Sequence, residues 1–211
     1  MFTDFLRERT RDLHARAEQS GVIHDVLRGK ATRYSYALLL RNLLPAYEKM
    51  EAGLDQYRRA PGVRMIARRE LYRVPALESD LQTLYGFAWA GSLPLLPEGE
   101  DYSGHVAAAA RDGGTRLIGH AYTRYFGDLS GGPILKQLLA RKLGLESRER
   151  SFYDFPHIAD GEVFKRGYRK ALDQAAQEIQ DVDAIVAEAI SAFEHNIAVS
   201  EAVQRAAADH H

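Results

Sequence analysis

The sequence predicts an all-α protein, and three observations carry that prediction. Apolar residues recur at three- and four-residue spacing and nowhere alternate with the period of two that a half-buried strand needs. Glycines stand where helices would stop, as at Gly86 and Gly144. No internal repeat and no linker-like stretch divides the chain, so residues 1–211 read as one domain of about seven or eight helices.

The elements follow in order. Residues 4–19 place Leu6, Thr10, Leu13 and Ala17 on one helical face. A longer helix, residues 33–58, carries Leu39, Leu40, Leu43, Tyr47, Met50, Leu54 and Tyr57 in register, with Pro45 expected to kink it because proline cannot donate a ladder bond. Residues 61–73 read as a connection with some helix. Leu77, Leu81 and Leu84 define a helix over 74–85 that Gly86 ends. Residues 87–104, with Pro94, Pro97 and several glycines, read as loop, and 105–111 as a short helix. Two half-helices follow, 115–126 and 133–143. A charged and aromatic connection over 146–157 leads to a helix at 160–177. A last helix, 182–206, puts Ile185, Ala189, Phe193 and Ile197 on a core stripe.

Between the two half-helices stands Gly127-Asp128-Leu129-Ser130-Gly131-Gly132. Each glycine inside a helix costs roughly 0.5–1 kcal/mol relative to alanine. Three within six residues imply that something must approach the backbone itself, and a flat ligand lying against the helix would do so.

Composition removes several function classes. Lys and Arg number 28 against 29 Asp and Glu, which is not the basic balance of a general nucleic-acid binder. With no cysteine there is no disulfide, thiolate nucleophile, Cys-ligated zinc, iron–sulfur cluster or thiolate-ligated haem. No apolar run is long enough to span a bilayer, and the first residues lack the layout of a signal peptide. The expectation is a cytoplasmic protein with no membrane anchor. The glycine patterns of nucleotide loops are missing. Ser130 lacks the flanking glycine of a nucleophile elbow. No Glu-x-x-His occurs, which argues against a ferritin-like di-iron site, and the histidines lack the i,i+4 spacing of a helical zinc site.

His14 borders the apolar stripe of the first helix, with Glu18 one turn on and within hydrogen-bonding reach. A metal-bound imidazole usually gives its other N–H to an acceptor of this kind. Taken alone, the pair reads far more readily as a boundary histidine beside a surface carboxylate.

The stretch Leu117-Ile118-Gly119-His120-Ala121-Tyr122-Thr123-Arg124-Tyr125-Phe126-Gly127-Asp128-Leu129-Ser130-Gly131-Gly132 resembles the signature of haem oxygenases. Arg11-Asp12-Leu13-His14-Ala15-Arg16-Ala17-Glu18 is similar to the family's proximal-histidine segment. Residues 76–86 resemble its mid-chain helix. Phe164-Lys165-x-x-Tyr168-Arg169 and Phe193-x-x-Asn196-Ile197 resemble its two C-terminal helices. In this order the matches cover nearly the whole chain.

The resemblance implies an all-α haem-oxygenase-like fold with haem b, both cofactor and substrate, sandwiched between a proximal and a distal helix. It implies that His14 is the proximal ligand to the haem iron and that Glu18 orients it. Gly127, Gly131 and Gly132 would let the distal backbone press on the bound oxygen. Asp128 would anchor the waters that deliver a proton, supported by Tyr47 and Arg124. Read without the resemblance, Asp128 suits a cap on the second half-helix. Arg7, Arg11, Lys165, Arg169 and Tyr122 match the family's contacts to the haem propionates, with arginine at 7 and 11 where animal relatives carry lysine. Arg16, Arg166 and Lys170 read instead as a solvated basic face. Phe193 and Asn196 match pocket-lining positions. Pro45 and Pro133 depart from the pattern, and either is positioned to alter how oxygen is oriented.

The implied reaction is oxidative cleavage of haem by O2 and external electrons to biliverdin, carbon monoxide and ferrous iron, with the alpha isomer as default. Imidazole ligation gives little push toward O–O cleavage, and the cofactor carries the redox chemistry. The implied partners are an electron donor such as a ferredoxin or flavin reductase, docking on the basic surface, and an acceptor for biliverdin. The chain is expected to be a monomer of the bacterial type that lacks a C-terminal membrane anchor. Two rival readings are a haem carrier or sensor without enzymatic activity and a helical protein that binds no haem. Asp128 with its glycines argues against the first, and His14 against the second.

Overall fold

The computed structural model describes residues 1–209, which form eleven α-helices and no strand. In order they are α1 (Phe2–Glu18), α2 (Gly21–Arg28), α3 (Arg33–Gln56), α4 (Val63–Ile66) and α5 (Val74–Tyr85). Then follow α6 (Trp89–Ser92), α7 (Pro97–Ala109), α8 (Leu117–Ser130), α9 (Gly132–Leu143), α10 (Gly161–Gln177) and α11 (Val182–Ala208). Short 3-10 turns lie at Arg69–Leu71, Ser147–Glu149 and Ser151–Tyr153.

Two helices organise the rest. Helix α3 is buried along most of its length, from Tyr36 through Leu40, Leu43 and Tyr47 to Leu54, and packs on α5, α7 and α11. A reciprocal pair of bonds starts it: Ser35 N donates to Thr32 Oγ1 (3.1 Å) and Thr32 N to Ser35 Oγ (2.9 Å). It runs through Pro45 without interruption, forgoing only the bond that proline cannot donate. Helix α11 supports α1, α2, α3, α7 and α8. Its approach to α8 is set by Gly119, where a Cβ would lie 2.5 Å from Ile185 O and 2.7 Å from Ala189 N.

Three sequence expectations are corrected. Helix α2 was not foreseen, because eight residues are too few to hold a helix by propensity. It is held from outside, with Val22 and Val26 buried, Ile23 N bonded to Ser200 Oγ (3.2 Å) and Gln204 Nε2 to Asp25 (2.7 Å). Of residues 87–104, expected as loop, 89–92 form the short α6 and 97–104 begin α7. Pro97 takes the first turn, where its missing N–H costs nothing. Gly99 is there for close packing and not for a turn, since a Cβ would sit 2.6 Å from Asn42 Oδ1 on α3.

The third correction concerns the glycine segment. Gly127 to Ser130 are helical, and only Gly131 falls between α8 and α9. Gly131 keeps right-handed dihedrals (φ −85°, ψ −27°), and its N–H reaches Gly127 O at 2.8 Å. The interruption sits where Pro133 enters the first turn of α9 without an N–H to continue the ladder.

Candidate functional site

Four of the residues singled out in the sequence meet in one buried network. Arg124 and Asp128 are one turn apart on α8, Tyr47 reaches them from α3, and Asn196 from α11. The Tyr47 hydroxyl donates to Asp128 Oδ2 and accepts from Arg124 Nε at 2.8 Å. Arg124 Nη1 donates to Asn196 Oδ1, and Nη2 lies 3.4 Å from Asp128 Oδ1. Asp128 is only 5% exposed. Its side chain therefore belongs to this network inside α8 and does not cap α9, whose first turn has no side-chain cap. Burial pushes the Asp128 carboxyl above its ordinary range, against the opposing pull of Arg124 and of the Tyr47 hydrogen bond. Burial also raises the Tyr47 phenol well above its usual value, so it stays a proton donor.

Pro45, two residues before Tyr47, does not keep that hydroxyl from Asp128. Behind the network lie residues that the sequence reading missed. Arg73 is buried over the Phe155 ring (4.1 Å), donates to Leu71 O at 3.0 Å, and adds a positive field at Asp128. Glu51 on α3 accepts from the backbone N–H groups of Arg73 (2.5 Å) and Val74 (3.3 Å). The Phe152 ring meets Tyr47 edge-on at 5.7 Å, and Tyr153 packs against Gly132, where a Cβ would come within 3.0 Å. Asp80 anchors that turn by accepting from Ser151 N (2.8 Å) and Phe152 N (2.9 Å). These partners stand 71 residues or more apart in the chain, and no local pattern marks them.

The second half of the site lies on α1. His14 is exposed, with 58% of its side chain accessible, and its Nδ1 stands 3.7 Å from Glu18 Oε1, an ion-pair distance too long for a hydrogen bond. That contact leaves Nε2 as the nitrogen open to a further ligand. The ring meets Phe193 at 6.0 Å in an edge arrangement, and Phe193 is otherwise buried. Helix α11 thus joins the two halves: Phe193 touches His14, and three residues on Asn196 touches Arg124.

The five predicted propionate partners differ in their surroundings. Burial holds the Tyr122 phenol above its ordinary range, against the opposing influence of Thr10 on α1 and of Arg169 and Arg7, both exposed. Arg169 stacks over Phe126 at 5.3 Å. Lys165 is paired with Glu162 (2.6 Å) and Arg11 with Asp12 (3.2 Å), so those two cations are already partly neutralised.

The distal backbone has the openness that a flat ligand needs. Gly127 is exposed, and a Cβ there would meet nothing within 4 Å. A Cβ on Gly131 would meet only Gly127 O, at 3.3 Å. An imidazole with one free nitrogen, exposed arginines beside a tyrosine hydroxyl, and an open glycine backbone before a buried acid are together a donor set that suits haem.

Comparison with known proteins agrees. The sequence profile described as "Heme oxygenase" matches residues 1–202. "Heme oxygenase 1" of Nostoc sp. is 36% identical over 193 residues, covering 91% of this chain and 81% of the relative. The human "Heme oxygenase 1" is 31% identical, covering 96% of this chain and 71% of the relative. The crystal structure of heme oxygenase-1 from the cyanobacterium Synechocystis sp. PCC6803 in complex with heme superposes with a TM-score of 0.92 at 33% identity, covering 99% of this chain and 94% of that one. The heme oxygenase of Leptospira interrogans superposes at 0.89 with 35% identity, covering 95% and 98%. A TenA homologue from P. horikoshii shares only the fold, at 15% identity. With the profile spanning nearly the whole chain and relatives above 30% identity across most of their own length, this chain belongs to the haem oxygenase family.

Proposed function

We propose that this haem oxygenase holds its substrate between α1 and the α8–α9 pair, with His14 as the residue that would hold the haem iron and Asp128 as the anchor of the waters that deliver protons. The reaction cleaves haem with O2 and external electrons to give biliverdin, carbon monoxide and ferrous iron. Haem itself supplies the iron that activates oxygen, and the chain supplies position, protons and exclusion of water. The observation that carries the reading is the Asp128 network, a buried acid held by Tyr47, Arg124 and Asn196 directly behind an open glycine backbone.

Each residue then has a task. Glu18 steadies the His14 ring from the Nδ1 side. Tyr47 and Arg124 fix the orientation of the Asp128 carboxyl, and Asn196 fixes Arg124. Gly127 leaves room for oxygen beside the helix, with Gly131 and Gly132 bringing the turn around it. Arg7, Arg169 and Tyr122 bind propionates, joined by Lys165 and Arg11 when these exchange their carboxylate neighbours. Phe193 closes the pocket beside His14. Electrons come from a redox partner, a ferredoxin or a flavin reductase, steered to the exposed cations Arg16, Arg166 and Lys170. Among the described residues no helix is long and apolar enough to cross a membrane.

The test adds hemin to the purified protein with a reductant under air and follows the Soret band. Decay to a biliverdin-like spectrum with release of carbon monoxide is expected. A stable oxygen complex that never decays would instead support the carrier reading and overturn this one.

A further inference from the structure

We propose that His105, His120 and Glu188 form a binding site for a divalent first-row transition ion, separate from the haem pocket. The three residues come from α7, α8 and α11, and their spacing in the chain gives no hint of the grouping. Glu188 Oε2 lies 2.8 Å from His105 Nε2 and 3.1 Å from His120 Nε2, and the three candidate ligand atoms all fall within 4.8 Å of one another. Ligands bound to one ion at about 2.0–2.1 Å stand roughly 3.0–3.4 Å apart. Two edges of the triangle are therefore near the required size already; the third would close to match, and the ion would replace the protons that now join Glu188 to the two imidazoles.

The surroundings favour a metal of intermediate softness. Two imidazoles and one carboxylate are the donor set of zinc and of non-haem ferrous sites, and too nitrogen-rich for calcium or magnesium. His120 is fully buried and Glu188 is 4% exposed, so these two ligands are held by packing. His105 is about a third exposed (31%) and gives the ion a route from solvent. Arg116 grips the other carboxylate oxygen, Oε1, with Nε at 2.7 Å. This orients Glu188 and leaves Oε2 directed at the histidines, as outer partners do for metal-bound carboxylates. The Arg116 side chain is nearly half exposed, so water screens its repulsion of a cation. Ser191 Oγ, 3.0 Å from His105 Nε2, adds an oxygen at the rim, and the His195 ring lies 4.8 Å from that of His105.

The site would tie together three helices and sits eight residues, about 12 Å, along α8 from Asp128. Ferrous iron, a product of the haem reaction, and zinc both have the required chemistry, and the two are separated by the experiment. Haem-loaded protein, freed of metal by a chelator and kept anaerobic, is titrated calorimetrically with Zn2+ and with Fe2+. The haem occupies His14, so that residue does not compete. One ion per chain is expected. His105→Ala should weaken binding at least tenfold, and Glu188→Gln should do the same. The Soret spectrum of each variant checks that it remains folded and haem-loaded. Zinc-edge absorption should show two imidazole nitrogens and an oxygen at about 2.0–2.2 Å. No uptake of either ion, or an isotherm unchanged by His105→Ala, would overturn the proposal. Binding elsewhere, such as at the terminal His210-His211 pair, would produce the second result.

Discussion

Asp128 is a side chain whose burial opposes its charge while its neighbours support that charge. Tyr47 donates to one oxygen, Arg124 approaches the other, and burial raises the affinity for a proton above that of a carboxylate in water. In the proposed mechanism, a carboxyl that anchors the proton-delivering waters would contribute about 100-fold or more. Asp128→Asn keeps the shape and loses the acid. Biliverdin formation should fall by about 100-fold while hemin titration shows nearly unchanged affinity; turnover within threefold of the parent would remove Asp128 from the mechanism. Glu51 offers a second test at this scale. Burial raises its carboxyl to about 7 from an ordinary 4.5, although two backbone N–H groups oppose the shift. Between those values the folded protein keeps a proton that the unfolded chain has lost, so stability declines as pH rises from about 4.5 through 7. The contribution is on the order of 3 kcal/mol. Glu51→Gln does not titrate, so the stability of the parent relative to this variant should drop between pH 5 and pH 8 in denaturant unfolding. A pH-independent difference would contradict this.

At the scale of elements, two glycines of α8 serve opposite purposes. Gly119 faces the backbone of α11, and a methyl group there would collide with Ile185 O and Ala189 N. Gly127 faces open space. Gly119→Ala should therefore destabilise the haem-free protein by about 1–3 kcal/mol, because backbone cannot move aside cheaply. Gly127→Ala should leave it unchanged or stabilise it by up to about 1 kcal/mol, through helix propensity. Haem affinity should respond in the reverse sense, falling in Gly127→Ala, where the new methyl enters the space beside the distal backbone. Parallel denaturation and hemin titration measure both; equal stability losses in the two variants would defeat the distinction. The same helix shows why the glycine segment reads as a wide break in the sequence and is a one-residue interruption in the structure. Tertiary packing supplies what the propensities of Gly127 to Ser130 lack, and only the missing N–H of Pro133 cannot be replaced.

At the scale of the molecule, α11 is the common support. It packs on α1 with His14 and on α8 with Asp128, so its close contacts at Gly119, Phe193 and Asn196 help to set the spacing of the two walls, as does α10, which also meets both helices. Haem bridging both walls binds only the folded chain and should stabilise it by mass action. At a hundredfold excess over Kd the gain is about 2.7 kcal/mol. For a domain of this size that raises Tm by roughly 5–10 °C. Thermal unfolding with and without haem measures it, and identical Tm values at saturation would mean that haem does not bind the folded chain in preference to the unfolded one. In His14→Ala, with the axial bond gone, the increment should shrink.

Local patterns in the sequence establish the helical class and most helix boundaries, through helical period and capping glycines, whereas the candidate residues of both walls rest on the resemblance of its motifs to the haem oxygenase family. The sequence did not yield α2 or the first half of α7, which exist because Ser200, Gln204 and Asn42 stand beside them in space. Nor did it yield Arg73, Glu51 and Asp80 behind the site, or the grouping of His105, His120 and Glu188. Those interactions join residues far apart in the chain, where burial and hydrogen bonding are fixed by which helices meet. Only the tertiary structure brings Tyr47 and Asn196 onto Arg124 and Asp128, since a carboxylate loses its water, and gains its partners, through packing that no single segment encodes.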